Sequence, residues 1–241
     1  MTRRANIDFC IRYLMAQNNV EAEIPDALSD KQQLLRALMY IWSPQPLSNE
    51  FLMSQDAELS MQLCEKGIVK TRRRLWQGDI TRLKVDAIVN STHSSGRCGM
   101  QSSHPGIDNA ISSSAGLQLR RECDKILQGS EIAIGGAIIT PGYNLPAKYV
   151  IHTVGPTVAT DTPSAGQEEQ LACCYRSCLS LAREHNCHSI AFCCISTGNS
   201  RFPNRHAAEI AVRVCREARM KVIFDVFNDI DYAIYSDLLN T

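Results

Sequence analysis

Three short polar segments carry the residue types that do chemistry, and each contains glycine. Gln77-Gly78-Asp79-Ile80-Thr81 sets one carboxylate in a tight turn. There it either offers an acceptor to a ligand or closes an Asx hydrogen bond on its own backbone. Ser196-Thr197-Gly198-Asn199-Ser200-Arg201-Phe202-Pro203 suits a diphosphate, because small residues let backbone N–H groups approach phosphate oxygens. A helix starting near Asn204 would add its positive end, although the same composition also makes an ordinary turn. The third segment runs from Asn90-Ser91-Thr92-His93 to Pro105-Gly106 and contains Cys98 and His104.

Cys98 stands in Ser94-Ser95-Gly96-Arg97-Cys98-Gly99, where there is little core for a thiol to pack into. Thiolate and imidazole are donors that zinc prefers, so Cys98 and His104 are candidate ligands. His93 joins them by reach along the loop or is a solvated hydrogen-bonding residue, and His104 either ligates or caps the helix beginning near Ile107. Asp108, in the first turn of that helix, is either a stabilising charge at its N-terminus or a carboxylate that orients water. His152 ends a strand and reads as a buried ring satisfying backbone groups; His185 and His188, flanking Cys187, read as a surface turn.

These segments need a scaffold. From about Arg72, short β-rich runs (Ala87-Ile88-Val89, Tyr149-Val150-Ile151, Ser189-Ile190-Ala191-Phe192, Lys221-Val222-Ile223-Phe224) alternate with helical stretches. That alternation predicts a mostly parallel sheet covered on both faces, with ligands bound beyond the carboxyl ends of its strands. Helical spacing is plain at Leu171, Cys174, Tyr175, Cys178, Leu179 and Ala182, and at Ala207, Ile210, Ala211, Val214 and Ala218. Asn204 and Asp229 are candidate N-caps of the last two helices. Residues 1–70 read as a helical extension, with Leu34, Leu35, Leu38 and Met39 on one face and Phe51, Leu52, Leu59 and Leu63 on another, divided by Ser43-Pro44-Gln45-Pro46. Those faces are too few to enclose a core, so the extension should dock on the domain at 71–241.

Composition narrows the function classes. The 25 Lys+Arg and 25 Asp+Glu cancel, so no global field draws the chain to nucleic acid or an anionic membrane, and an anionic ligand must be caught locally. No apolar run approaches the roughly 20 residues of a membrane span, and no hydrophobic signal core follows Met1-Thr2-Arg3-Arg4-Ala5-Asn6. The 11 cysteines are odd in number and fall mostly in apolar segments, which fits core packing in a reducing, cytoplasmic setting.

Leu75-Trp76-Gln77-Gly78-Asp79-Ile80-Thr81, Val85-Asp86-Ala87-Ile88-Val89-Asn90, Tyr149-Val150-Ile151-His152-Thr153-Val154-Gly155-Pro156 and Ser196-Thr197-Gly198 with Phe202-Pro203 resemble a macrodomain in content and order. The stretch from His104-Pro105-Gly106-Ile107-Asp108-Asn109 through Ala115-Gly116-Leu117 resembles the zinc-dependent branch. Leu35-Arg36-Ala37-Leu38-Met39 and Val222-Ile223-Phe224-Asp225-Val226-Phe227 do so too.

The resemblance implies a three-layer α/β/α fold around a mixed, mostly parallel sheet, and removal of mono-ADP-ribose from acidic side chains of proteins. Asp79 would accept from the adenine amino group with Ile80 beside it, and Phe227 would pack on the ring. Ser196, Thr197 and Gly198 would cradle the diphosphate and Asn90 would face the distal ribose; from the chain's own residues, Asn199, Arg201 and Phe202 are candidates for the same diphosphate loop, and Asn90 and Asp108 are the candidate catalytic pair. In that branch a Cys/His/Cys set holds zinc near that ribose, where it would polarise a hydroxyl or a water; Cys98 and His104 match two of its positions, and His93 or a water would fill the third. The implied partners are ADP-ribose and mono-ADP-ribosylated proteins, met by a monomer.

Departures from the family pattern mark this chain. His93 stands where a second Asn is common, and Gly106 where the zinc branch places a Cys. Ser200 and Arg201 replace an aromatic and a glycine. A binding module that has lost turnover, and an enzyme acting on small ADP-ribose derivatives such as O-acetyl-ADP-ribose, would use the same pocket.

Overall fold

A computed structural model of the chain describes residues 2–96, 106–160 and 162–240. Among them lie eight α-helices and six strands. Three helices come first: α1 (Arg3–Asn18), α2 (Leu28–Ile41) and α3 (Asn49–Lys66). Thr2 caps α1 by accepting from the Ala5 N–H at 3.3 Å, and Ser48 caps α3 by accepting from the Phe51 N–H at 3.1 Å. Such caps satisfy N–H groups that the first turn leaves unpaired. Pro44 and Pro46 fall between α2 and α3, as expected from a residue that cannot donate to a helix.

The extension packs an apolar cluster that it shares with the following domain. Ile7, Cys10, Ile11 and Leu14 of α1 meet Leu35, Leu38, Met39, Trp42 and Phe51, and Leu117 of the following domain closes the cluster. Helix α1 supplies the missing apolar face. Polar stitching secures the docking: Gln55 accepts from the Leu117 N–H at 3.0 Å, Asp56 accepts from Gln118 at 2.8 Å, and Arg120 donates to the Met39 carbonyl at 2.8 Å. Glu58 is fully buried yet satisfied by Arg3 at 2.9 Å, Gln32 at 3.0 Å and Gln62 at 2.9 Å. A buried carboxylate is tolerated only with such partners.

The sheet contains β1 (Leu75–Gln77), β2 (Ala87–Ser91), β3 (Ala137–Pro141), β4 (Tyr149–Thr153), β5 (Ser189–Phe192) and β6 (Lys221–Val226), in the spatial order β1-β6-β5-β2-β4-β3. Only the β3–β4 pair is antiparallel. β1 and the edge strand β3 were not among the predicted strands. Helices α4 (Ile107–Ala115) and α5 (Leu117–Leu127) cover one face, and α6 (Ala165–Glu184), α7 (Asn204–Cys215) and α8 (Asp229–Asn240) the other. The main core fills the layers with Ile88, Val89, Ile151, Tyr175, Phe192, Ile210, Phe224 and their neighbours. Among the described residues no helix is long and apolar enough to cross a membrane.

Three helix ends differ from their sequence reading. α7 stops at Cys215, before Ala218, and begins at Asn204 with Pro203 in the cap position. The Asn204 amide instead donates to Asp231 at 2.7 Å. For α8 the capping side chain belongs to Asn228, which accepts from the Asp231 N–H at 2.8 Å; Asp229 is already the first helical residue.

Candidate functional site

Parallel pairing sends the carboxyl ends of β1, β6, β5, β2 and β4 to one edge of the sheet, and the polar segments all emerge there. At one end of the edge the Gly78 N–H donates to the Val226 carbonyl at 3.0 Å, which sets the Asp79 turn beside Phe227. Phe227 is an apolar ring left 81% exposed. Asp79 Oδ1 accepts from the Thr81 N–H at 3.0 Å and the Thr81 hydroxyl at 2.6 Å, so the Asx turn forms. Its other oxygen, Oδ2, accepts from Lys66 Nζ at 3.3 Å at the end of α3, and the side chain is partly exposed. Burial works to raise the Asp79 carboxyl, but the bonds from Thr81 and the Lys66 charge outweigh it and hold the group below the usual range. Asp79 is an ionised acceptor whose Oδ2 carries one bond, from Lys66, and can accept another.

A second carboxyl lies below it. Asp225, registered beside Trp76, is 5% exposed, and its Oδ1 has no hydrogen-bond partner. Burial, with the Asp79 charge adding, pushes it up to about 9, so it is a neutral acid at pH 7.

In the middle of the edge, residues 196–203 follow β5. Thr197 Oγ1 donates to the Cys194 carbonyl at 3.2 Å, Arg201 N–H to Gly198 O at 2.9 Å, and Phe202 N–H to Ser196 O at 2.9 Å. The Ser200 carbonyl accepts from the Val158 N–H at 2.8 Å. Among the described residues, the N–H groups of Thr197, Gly198, Asn199 and Ser200 donate to no protein acceptor. Consecutive free amides in a tight loop ahead of a helix form an anion-binding concavity. The buried Ser196 hydroxyl is likewise unpartnered. Ser196 and Arg201 both hold left-handed backbone, at φ 66° and 54°. Arg201 therefore adopts the left-handed conformation that favours glycine, with its side chain exposed. Gly155 permits the close approach of the loop after β4, since a Cβ there would lie 2.0 Å from Ser196 Oγ.

Two expected lining residues turn inward. Phe202 is 1% exposed, with its ring 5.7 Å from that of His206, and Ile80 is 2% exposed within the main core. Large apolar side chains beside a polar cleft are drawn into the core they adjoin. Their side chains shape the loops and do not line the surface.

At the far end stands Asn90, fully buried on β2. Its Nδ2 donates to Asp108 Oδ1 at 2.6 Å and lies 3.2 Å from His152 Nδ1. Of the two readings of Asp108, the structure adds a side-chain bond to its place at the start of α4. His152 was expected to satisfy backbone groups, yet its ring meets side chains on both edges, with Thr140 Oγ1 3.0 Å from Nε2. Register shows why: Asn90 and His152 are direct neighbours on β2 and β4, so both leave the same face. Thr92 adds a buried hydroxyl without a hydrogen-bond partner. His93 is exposed, its Nδ1 3.5 Å from the Ser95 N–H. Cys98 and His104 lie outside the described residues, among which no group of three metal-ligating side chains gathers. Cys10, Cys193 and Cys215 are pushed up to about 12 by burial, which suits inert core thiols. Sequence reasoning missed Lys66, Asp225, Thr140 and the part of His152; only the strand alternation around Asn90 and His152 hinted at their pairing.

Comparison with known proteins follows the same outline. The family pattern described as Macro domain matches residues 89–211. The chain is similar to a protein-ADP-ribose hydrolase of Treponema medium, 43% identical over 265 residues that span 100% of each chain. It is also similar to a protein-ADP-ribose hydrolase of Staphylococcus aureus (strain MSSA476), 40% identical over 257 residues, covering 99% of this chain and 97% of the other. Among solved structures, the Trypanosoma brucei macrodomain in complex with ADP-ribose matches with a TM-score of 0.62 at 28% identity, covering 85% of this chain and 94% of that one.

Proposed function

The chain belongs to the macrodomain family, and from that premise we propose that it is an ADP-ribosyl hydrolase that releases mono-ADP-ribose from acidic side chains of proteins. The observation that carries the reading is the order of groups along one sheet edge: an ionised acceptor with an exposed ring, then free amides, then the Asn90–Asp108 pair. This order matches adenine, diphosphate and distal ribose. Asp79 Oδ2 accepts from the adenine amino group while Phe227 covers the ring. The amides of residues 197–200 take the diphosphate oxygens, and Arg201 closes over them as a bidentate donor.

Asn90 and Asp108 then serve the reacting end. Water held by the Asp108 carboxylate attacks the anomeric carbon of the distal ribose, the C–O bond to the acidic side chain breaks, and that side chain leaves as a carboxylate. The water proton passes to Asp108 and on to solvent. Cys98 and His104, with His93 or a water in the place Gly106 leaves, offer the donor types zinc takes, and His93 lies exposed on the loop that follows Asn90. Zinc bound there would polarise a ribose hydroxyl or the water.

Gly106, standing where a ligand is expected, favours a second reading in which the pocket binds ADP-ribose without turnover. Incubation with a protein mono-ADP-ribosylated on glutamate separates the two: release of ADP-ribose supports the hydrolase, and binding without release the module.

A further inference from the structure

We propose that His152 is a positioning residue for this reaction, held as its Nε2–H tautomer so that it accepts from Asn90 and fixes the direction of the Asn90 amide. The inference rests on the hydrolase reading for its consequence, but its geometry stands alone. Asp108 Oδ1 lies 2.6 Å from the Asn90 amide. A carboxylate oxygen only accepts, so the amide end facing it is Nδ2. The same Nδ2 is 3.2 Å from His152 Nδ1, and two donors cannot face one another, so Nδ1 carries the lone pair. A neutral ring with an unprotonated Nδ1 bears its hydrogen on Nε2, where Thr140 Oγ1 waits at 3.0 Å and Cys123 Sγ at 3.7 Å. The Thr140 hydroxyl accepts there and donates its own proton to the Val150 carbonyl at 3.5 Å.

Each link therefore dictates the next, from a backbone carbonyl to the carboxylate. Asn90 and His152 are 0% exposed and Thr140 is 1% exposed, so water does not substitute for a missing partner. With the other tautomer, Nδ1–H would face the Asn90 Nδ2 hydrogens. The amide would have to turn over, which would set its oxygen against the Asp108 carboxylate. The chain forbids both arrangements, and Asn90 Oδ1 is held pointing away from Asp108 and His152. Thr140 sits on the antiparallel edge strand β3, registered with Val150, so the part of the sheet most remote from the ligand loops sets the aim of the group nearest the distal ribose.

Thr140→Val keeps the shape of the side chain and removes the acceptor; Thr140→Ser restores a hydroxyl. With the full-length chain and a protein mono-ADP-ribosylated on glutamate, Thr140→Val should lower kcat by about 10-fold while KM and ADP-ribose affinity hold, and Thr140→Ser should recover most of the rate. Imidazole nitrogen shifts in histidine-labelled protein, with His152 assigned through His152→Gln, should show Nε2–H and a bare Nδ1 in the wild type. A protonated Nδ1, an unchanged kcat in Thr140→Val, or a folded Thr140→Val that has lost ADP-ribose binding as well would overturn the proposal. If the wild type releases no ADP-ribose, the hydrolase reading fails by itself, and the tautomer still decides the orientation claim.

Discussion

Single side chains carry the recognition, and two of them make opposite demands on the fold and the ligand. Asp79 spends Oδ1 on its own turn and offers the ligand Oδ2, which also accepts from Lys66, so Asp79→Ala should cost about 1.5–3 kcal/mol of ADP-ribose binding by calorimetry. Unchanged affinity would remove the adenine assignment. Arg201 pays a backbone strain at φ 54° to put a guanidinium at the diphosphate loop. Arg201→Gly should therefore raise thermal stability by about 0.5–1 kcal/mol and yet weaken binding by about 1.5–3 kcal/mol. A variant that binds more tightly would make Arg201 a gate. Residue types and their order made Asp79, Asn90 and the loop after β5 legible in the sequence. The placement of Lys66, Asp225 and Thr140 was not, because each depends on neighbours that only the register or the docking of distant segments supplies.

At the scale of elements, the parallel strands and long helices were readable from period and alternation, and the short or edge elements were not. β1 has only three residues, and β3, though its Ala137-Ile138-Ile139 run is as apolar as the predicted strands, ends on Pro141 and pairs antiparallel at the sheet edge. The last residues of β6 carry a pH-dependent cost. Asp225 keeps its proton up to about 9 in the folded chain, whereas an unfolded Asp releases it near 4. Between those values the folded state binds more protons, so this group's contribution to stability falls as pH rises. Asp225→Asn ends that titration. Thermal unfolding should show the variant gaining on the wild type by on the order of 2 kcal/mol near pH 8 and little near pH 4. An equal change at both pH values would contradict the buried neutral acid.

Over the whole molecule, the extension and the sheet domain share a core through Leu117, and the extension reaches the ligand edge through Lys66. Ile7, Cys10, Ile11 and Leu14 of α1 stand at helical spacing, but their partners on α2, α3 and Leu117 are set only by the packing of distant segments. The zinc reading rests on Cys98 and His104 and is checked by elemental analysis of protein purified without chelator. It predicts zinc at reduced affinity and less of it in Cys98→Ser, where a content well below stoichiometric and unchanged by that substitution would dismiss the metal.

The central claim is that one edge of the sheet binds ADP-ribose and hydrolyses its bond to protein. The direct measurement follows ADP-ribose released from a protein mono-ADP-ribosylated on glutamate, by wild type and by Asp108→Asn, beside calorimetry with free ADP-ribose. Both proteins should bind ADP-ribose, the wild type should turn over, and Asp108→Asn should lose at least about 100-fold in rate. Folded wild-type protein that releases nothing, or an Asp108→Asn variant as fast as the wild type, would contradict the central claim.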